Sequence, residues 1–256
     1  MKQVPAGTKV DIDPETGAMK RLSGETRTNP YDLFALEAAL QLREKVGGSV
    51  TVLTMGPPQA EEMMRDAYTM GADDAVILSD RKFAGADVLA TSYALSQGIT
   101  AIGDIDLIIC GKQTTDGDTA QVGPAIAEHL GIPHAAWVSE IVDADSESIQ
   151  VKQDLVSVSQ TSKIPYPCLI TVDKDMCVPR LPSYLLQKQS KDRPVKIMTF
   201  EDMAEQNLSK YGLVGSPTAV EKMFAPPEVE KQVYFDGDAK EKTKQLFDVL
   251  VNKKVI

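Results

Sequence analysis

Short apolar runs alternate with amphipathic stretches through the first half of the chain, and this alternation limits the possible folds more than any other feature. The apolar runs are SVTVLTMG at 49–56, DAVILS at 74–79 and DLIIC at 106–110. Stretches with helical spacing of apolar residues lie between them, at 59–72 and 86–99. Strands joined by helices require right-handed crossovers, which build a parallel sheet covered on both faces. The sequence therefore predicts an α/β fold with a doubly wound, mostly parallel sheet.

The first helix is marked at both ends. Asn29 suits the N-cap position, Pro30 the first helical position and Asp32 the positive end of the helix. Gly47, which another glycine follows, predicts the end of this helix. Upstream, VDIDPETGAMKR at 10–21 alternates apolar and polar residues around a Pro-Glu-Thr-Gly turn, which predicts a hairpin near the N-terminus.

The pattern changes in the second half of the chain. Three β-like segments at 135–144, 148–160 and 167–173 follow one another without helices between them. They predict an antiparallel or mixed extension of the sheet. We therefore expect a core over 1–173 and an extension over 174–256.

The extension ends in an amphipathic segment, DAKEKTKQLFDVLVNKK at 238–254. Its apolar residues share one side of the predicted helix: Leu246, Phe247, Val249 and Leu250. The extension has too few periodic segments to bury this side by itself. Docking on a partner and packing back on the core both remain open at this point.

Composition excludes several classes of protein. The chain has 27 Lys and Arg against 37 Asp and Glu, a formal charge of -10, which argues against nucleic acid and anionic membranes as partners. No apolar run approaches the ~20 residues of a spanning helix, and the N-terminus has no signal-peptide core. We therefore expect a cytoplasmic protein without membrane insertion.

Metal and nucleophile chemistry also lack support in the sequence. The three cysteines, Cys110, Cys168 and Cys177, form no C-x-x-C pair, and His129 and His134 have no partners at metal-ligand spacing. Neither a G-x-S-x-G nor a G-x-x-x-x-G-K-[ST] motif is present, which disfavours a conventional hydrolase or P-loop enzyme. We expect reduced, mostly buried thiols and no metal site.

The segment GKQTTDGDTAQVGP at 111–124 is the strongest candidate for a binding loop. It connects the run DLIIC to a predicted helix, and ligands of doubly wound sheets bind beyond the carboxyl ends of such strands. Threonine hydroxyls, a glutamine and glycines that leave the backbone accessible suit phosphate. Two other helix starts, TNPYD at 28–32 and TMGPPQ at 54–59, converge on the same edge in this fold. The pattern indicates a nucleotide-binding α/β domain.

The two carboxylates of this loop, Asp116 and Asp118, are unexpected at a phosphate site. They can accept backbone N–H bonds and shape the turn without facing the ligand. One of them can also accept from a ribose hydroxyl, or both can hold Mg²⁺. A plain acidic surface turn without a ligand remains open as well.

The loop resembles the signature of the beta subunit of electron transfer flavoproteins. The resemblance continues, in the family's order, through KQVP at 2–5, DPETG at 13–17, NPYDLFALEAAL at 29–40, GPPQAEE at 56–62, MGADDAVILSD at 70–80, FAGADVLATSYAL at 83–95 and IAEHLGIP at 126–133. Such collinear agreement is more specific than any single motif. It implies an adenine-nucleotide-binding, Rossmann-like α/β domain that pairs with a larger alpha subunit carrying its own FAD.

The resemblance also implies the residues of a nucleotide site. They are Asn29, Pro30, Tyr31, Asp32 and Met55, together with Thr114, Thr115, Asp116, Gly117, Asp118, Thr119, Ala120, Gln121, Val122 and Gly123. In the housekeeping branch of the family the nucleotide is a structural AMP, and in the bifurcating branch it is a second FAD. The loop TTDGDTAQVGP and the motif GPPQAEE are closer to the bifurcating branch. FAD is therefore the expected cofactor, and AMP is the alternative.

In the bifurcating branch, the resemblance implies electron transfer from NADH in two directions. One electron passes through the alpha-subunit flavin to an acyl-CoA dehydrogenase-type flavoenzyme, and the other reduces ferredoxin or flavodoxin. The segment RLPSYLL at 180–186 resembles the family's recognition loop, with Leu181 at the apolar anchor position and Pro182, Tyr184 and Leu185 beside it. Without the resemblance, a leucine packed against its own domain is an equally good interpretation.

One feature departs from the family pattern. Family members usually begin with a short apolar strand that runs into KQVP, whereas here Met1 stands directly before Lys2. That strand would be central to the sheet and would contribute backbone to the nucleotide site. If it is missing, both nucleotide affinity and stability are reduced.

Two alternatives come from other classes of protein. A nucleotide-sensing module like the universal stress proteins has a related fold but leaves the long extension and RLPSYLL unexplained. An adenylate-forming enzyme is disfavoured because neither an S-G-G-x-D-S loop nor an H-x-G-H motif is present.

Overall fold

The alternation of strands and helices predicted from the sequence is present in the structure, a computed structural model that describes residues 1–6, 11–12, 19–20, 26–221 and 233–256. The helices of the described residues are α1 Pro30–Val46, α2 Glu61–Met70, α3 Val88–Ile102, α4 Val122–Leu130, α5 Tyr184–Gln189 and α6 Ala239–Asn252. The strands are β1 Gln3–Pro5, β2 Asp11–Ile12, β3 Met19–Lys20, β4 Thr26–Thr28, β5 Thr51–Met55, β6 Asp74–Leu78, β7 Leu107–Gly111, β8 His134–Ala144, β9 Ser148–Leu155, β10 Val158–Pro165, β11 Cys168–Val172 and β12 Lys196–Met198. The α/β class is therefore confirmed.

The parallel strands belong to two sheets, whereas the sequence predicts a single doubly wound sheet. One sheet has the order β12-β6-β5 and is entirely parallel. The other has the order β10-β9-β8-β11-β7, in which β11 is parallel to both β7 and β8. The segment β8-β9-β10 is antiparallel and forms the mixed extension that the sequence predicts.

Residues 1 and 2 lie between β5 and the end of β7. The Met1 ammonium donates to the carbonyl of Leu53 in β5 over 2.7 Å. The Lys2 amide donates to the carboxylate of Asp32 over 2.6 Å. A Cβ at Gly111, the last residue of β7, would lie 2.5 Å from the same carboxylate. The start of the described chain therefore bridges the edges of the two sheets.

Helix α1 packs against both sheets. Leu36 and Leu40 lie in a core cluster with Met64 and Tyr68 of α2 and with the strands β5 and β6. Ala35, on another side of the helix, lies in a second cluster with residues of β8, β9 and β11. Apolar residues lie on more than one side of this helix, so it buries apolar surface against both sheets. This burial holds the two sheets together.

Local predictions agree with the structure in most places. Asn29 precedes α1, Pro30 opens it and Gly47, with a positive φ of 87°, ends it. Strands β2 and β3 pair as the two arms of the predicted hairpin, while its turn at 13–18 lies outside the described residues. The β-like segment at 148–160 contains β9 and the first residues of β10, and between them Val156 and Ser157 form a turn that no glycine, proline or asparagine marks.

Contacts within the chain define two compact units, residues 1–222 and 223–256. Residues beyond 173 contribute to the first unit, since β12 extends the parallel sheet beside β6. In the second unit, Asp238 caps α6 in a capping box with Glu241, and none of the helix's side chains is buried. Within the described ranges, no helix combines the length and apolarity that a membrane span needs.

Candidate functional site

The loop at 112–121 leaves the carboxyl end of β7 directly beside the first turn of α1. A side chain at Gly111 would meet the carboxylate of Asp32 and, at 2.7 Å, the carbonyl carbon of Tyr31. Only glycine allows this close approach of strand and helix. The same edge therefore holds both the loop and the start of α1, as the sequence predicts.

Asn29 joins the start of α1 to the loop. It is completely buried, its Nδ2 donates to the carbonyl of Gln113 over 2.9 Å, and its Oδ1 accepts from the amide of Thr115 over 3.2 Å. The expectation that its side chain caps α1 is wrong, because it makes no hydrogen bond to that helix. Its side-chain amide instead forms hydrogen bonds with the backbone of Gln113 and Thr115, and these bonds hold the first residues of the loop against α1.

Both carboxylates of the loop are engaged within the protein. Asp116 forms an ion pair with the Lys2 ammonium at 2.7 Å, and Asp118 accepts from Nε2 of Gln113. Burial raises the pKa of Asp116, but hydrogen bonds from Lys2 and Thr114 outweigh it, so the pKa is lowered overall. Both acidic side chains thus bind side-chain donors, whereas one interpretation of the sequence gives them backbone N–H donors.

The magnesium interpretation has no support in the described residues. Across residues 1–6, 26–221 and 233–256, and the short strands β2 and β3, no three His, Cys, Asp or Glu side chains are grouped to hold a metal ion. The carboxylates are instead bound to Lys2 and Gln113. Asp118 and Ala120 adopt left-handed backbone conformations with φ of 53° and 54°, which tighten the loop before α4.

The predicted site residues differ in their burial and in the elements they contact. Gln113 reaches toward the Tyr31 hydroxyl at 3.5 Å, residues 115–119 are exposed, and Gly123 is buried against Thr171 of β11. These residues belong to the edge formed by β7 and β11. Met55, the last residue of β5, packs instead with the core cluster around Val76 and Leu78 of the other parallel sheet.

Three residues at this edge were missed from the sequence. The Lys112 ammonium lies 2.9 Å from Asp173 Oδ2 and 4.5 Å from the centroid of the Trp137 ring. The amide of Trp137, whose φ is 61°, donates to Oγ1 of Thr171. A sequence signal exists for two of them, since Lys112 and Asp173 each directly follow a parallel apolar strand.

The predicted recognition residues are exposed. Leu181, Tyr184 and Leu185 have exposed fractions of 87%, 70% and 63%. Arg180, just before them, forms an ion pair at 2.8 Å with Glu37 of α1, a residue that is 4% exposed. The apolar side chains therefore project from a segment that a buried ion pair attaches to the core.

The fold and this edge define an α/β domain with a loop site at the carboxyl ends of parallel strands, where such domains bind ligands. Comparison with known proteins then supplies the family. Residues 16–204 match the electron transfer flavoprotein domain. The chain belongs to the electron transfer flavoprotein family, and its relatives are the beta subunits and the FixA proteins.

Three curated relatives illustrate this membership. Protein FixA of Bradyrhizobium diazoefficiens is 42% identical over 98% of this chain and 89% of its own length. The electron transfer flavoprotein subunit beta of Thermoanaerobacterium thermosaccharolyticum is 42% identical over 100% of this chain and 98% of its own. The acryloyl-CoA reductase electron transfer subunit gamma of Anaerotignum propionicum is 40% identical with the same coverage. This membership replaces the alternative of a universal-stress-type module.

Proposed function

We propose that this beta-subunit homologue binds FAD at the loop 112–121 and works as the electron-carrying partner of an alpha subunit. The observation that supports this most is that the carboxylates of the loop have partners within the protein, while some of its hydroxyl groups are exposed. Its carboxylates are held by Lys2 and Gln113, while Thr115 and Thr119 remain exposed beside the start of α4. These two hydroxyls are thus available to an anion, the charge of Asp116 is compensated by Lys2, and Asp118 is held by the neutral amide of Gln113.

The donor set fits the phosphates of an adenine nucleotide. The first-turn amides of α4 have no acceptor within the helix, and the end of the helix that they form is positive. One helix start contributes only ~0.3–1 kcal/mol to a nearby anion, so the hydroxyls of Thr115 and Thr119 would have to act with it. Asn29 would hold these donors in place, and Tyr31, Asp32 and Met55 would line the rest of the site.

A bound flavin supplies hydride acceptance and one-electron transfer, and the protein determines its position and its access to partners. In our proposal the assembled flavoprotein takes a hydride from NADH and sends one electron through the alpha subunit to an acyl-CoA dehydrogenase-type flavoenzyme. The other electron reduces ferredoxin or flavodoxin. The likeness to an acryloyl-CoA reductase electron transfer subunit supports this choice. A structural AMP in the same loop is the alternative, since the phosphate donors suit both ligands.

The nucleotide content tests the proposal directly. The chain is purified with its alpha subunit and denatured, and the released nucleotides are separated and identified by their absorbance. We expect a second FAD in addition to that of the alpha subunit, and reduction of the intact protein by NADH in the absence of oxygen. If AMP and only one flavin are released, the protein is a simple electron carrier and the bifurcating function is wrong. A preparation without any nucleotide at this site would contradict both.

We further propose that residues 174–256 dock on partner proteins. Leu246 and Phe247 of α6 are about half exposed, and the helix carries an excess of lysines among its charged residues. An unburied apolar side with basic neighbours suits a groove on the alpha subunit that is flanked by carboxylates. The exposed residues Leu181, Pro182, Tyr184 and Leu185 would bind the dehydrogenase-type partner.

Replacing Leu181 by alanine is expected to weaken binding of the dehydrogenase-type partner by about 2–4 kcal/mol, the usual contribution of a buried apolar anchor. The free protein should keep its stability, because this side chain is exposed. Surface plasmon resonance with the assembled flavoprotein measures the affinity. Val156→Ala is the matched control, since Val156 is 101% exposed in the β9-β10 turn. Equal affinities for both variants would contradict the anchor role.

A further inference from the structure

Lys112 occupies a defined position between β7 and the binding loop. Its amide donates to the carbonyl of Val172 over 2.8 Å, which extends the pairing of β7 and β11 by one residue. Its ammonium lies 2.9 Å from the Asp173 carboxylate and 4.5 Å from the centroid of the Trp137 ring. The Lys112 side chain is 21% exposed. The cation is therefore held in place but still reaches the surface of the site.

The side chain of Lys112 belongs to the face of the sheet that α4 covers. Successive side chains of a strand alternate between faces, so Lys112 shares a face with Cys110. Cys110 packs with Ile126 of α4. On the same face, a Cβ at Gly123 in the first turn of α4 would lie 2.5 Å from Thr171, whose hydroxyl accepts from the Trp137 amide. Lys112, whose ammonium contacts the Trp137 ring, thus lies on the side of the sheet that α4 covers, and Thr171 contacts both the Trp137 amide and the first turn of α4.

The charges at this place favour an anion. The beginning of α4 is positive and so is the Lys112 ammonium, so a phosphate that contacts both would be stabilised by both. The ammonium of Lys112 has three N–H donors, and Asp173 accepts from one of them. Lys2, the other lysine that contacts this loop, is already paired with Asp116. Lys112 contacts one oxygen of Asp173, whereas Lys2 contacts both oxygens of Asp116, so Lys112 has more donors left for a ligand phosphate.

We propose that Lys112 determines the specificity of the site for phosphorylated adenine nucleotides over adenosine, with Asp173 and Trp137 as positioning residues for its ammonium. This inference rests on the proposed nucleotide-binding function. It adds a charged contact to a loop whose other donors are neutral amides and hydroxyls. Charge-assisted hydrogen bonds are roughly twice as strong as neutral ones, so a single lysine can account for most of the selectivity.

The test compares two ligands that differ only in the phosphate. The full chain is assembled with its alpha subunit, freed of its dissociable nucleotide and titrated with AMP and with adenosine by calorimetry. For Lys112→Met we expect an affinity for AMP lower by about 10- to 100-fold, the range for one charged hydrogen bond, and an unchanged affinity for adenosine. Lys112→Arg should keep most of the preference for AMP.

Lys82→Met is the matched control. Lys82 also forms an ion pair, with Glu201 at 2.7 Å, and lies 4.2 Å from the centroid of the Phe200 ring. This variant should leave both affinities unchanged. If Lys112→Met does not fold, the double variant Lys112→Met/Asp173→Asn removes the ion pair without leaving a lone charge, and it should show the same loss of preference.

Equal weakening of AMP and adenosine in the Lys112 variants would show a structural ion pair and overturn the inference. Unchanged AMP affinity in those variants would overturn it as well. Failure of the unsubstituted protein to bind either AMP or FAD is a different result, because it overturns the proposed function itself.

Discussion

Replacing Asn29 by alanine is expected to destabilise the protein by about 1–3 kcal/mol and to abolish most of the nucleotide affinity. Its side chain makes two hydrogen bonds to the loop, to the carbonyl of Gln113 and from the amide of Thr115. Their removal leaves the partly buried carbonyl of Gln113 and the amide of Thr115 without these partners, and each lost hydrogen bond costs about 0.5–1.5 kcal/mol. Urea unfolding measures the stability, and calorimetric titration with AMP measures the affinity.

The matched control for Asn29 is Asn207→Ala. Asn207 also uses its side chain to accept from a backbone amide, that of Ser209, but it is exposed. Its loss should cost about 1 kcal/mol and leave nucleotide binding unchanged. Asn29→Asp should fall between wild type and Asn29→Ala, since it keeps the acceptor for Thr115 and loses the donor to Gln113. Equal effects at positions 29 and 207 would contradict the role given to Asn29.

Replacing Arg180 by alanine is expected to destabilise the protein by about 3–5 kcal/mol, because the substitution leaves a charge buried without its partner. Arg180 contacts both carboxylate oxygens of Glu37, through Nε at 2.8 Å and a second guanidinium nitrogen at 3.0 Å, and also reaches Glu44. Glu37 is 4% exposed. Urea unfolding of the free chain measures the loss. Arg65→Ala, which breaks a half-exposed pair with Glu61, should cost less than about 1 kcal/mol.

The pH dependence identifies the cause of this loss. Burial raises the pKa of Glu37, but hydrogen bonds from Arg180 and Gln41 outweigh it and lower the pKa below its ordinary 4.5. In the unsubstituted protein this pair therefore stabilises at neutral pH, and its contribution is lost as the pH falls through the lowered pKa. In Arg180→Ala burial prevails, the pKa of Glu37 rises, and protonation relieves the penalty as the pH falls.

The difference in unfolding free energy between the two proteins should therefore be largest at neutral pH and should shrink as the pH falls through the raised pKa of Glu37 in the variant and its lowered pKa in the unsubstituted protein. Adding Glu37→Gln to Arg180→Ala should remove most of this change. A difference that stays constant with pH would show that lost packing of the arginine stem, and not the buried charge, causes the instability. Since Arg180 directly precedes Leu181, the same variant should also weaken binding of the dehydrogenase-type partner.

Local sequence patterns were sufficient for most elements of the fold. The ends of α1 followed from Asn29, Pro30 and Gly47, and the strands β5, β6 and β7 followed from their apolar runs. These features depend on neighbours within a few residues, where backbone sterics and side-chain spacing act directly. The position of the loop beyond β7 followed from the same reasoning, because parallel strands end at a common edge. The family resemblance extended this over much of the chain, and the comparisons agree with the family.

The tertiary structure decided which residues meet across long stretches of sequence. The pairs Lys2–Asp116 and Glu37–Arg180 are 114 and 143 residues apart, and Asn29 reaches Gln113 across 84 residues. No local period encodes such a pair, because each depends on how separate helices and strands pack together. For the same reason the sequence pointed to two acidic side chains in the loop but did not determine that Lys2 and Gln113 bind them. Nor did it determine that Asn29, at the N-cap position of α1, would hydrogen-bond the loop and not the helix.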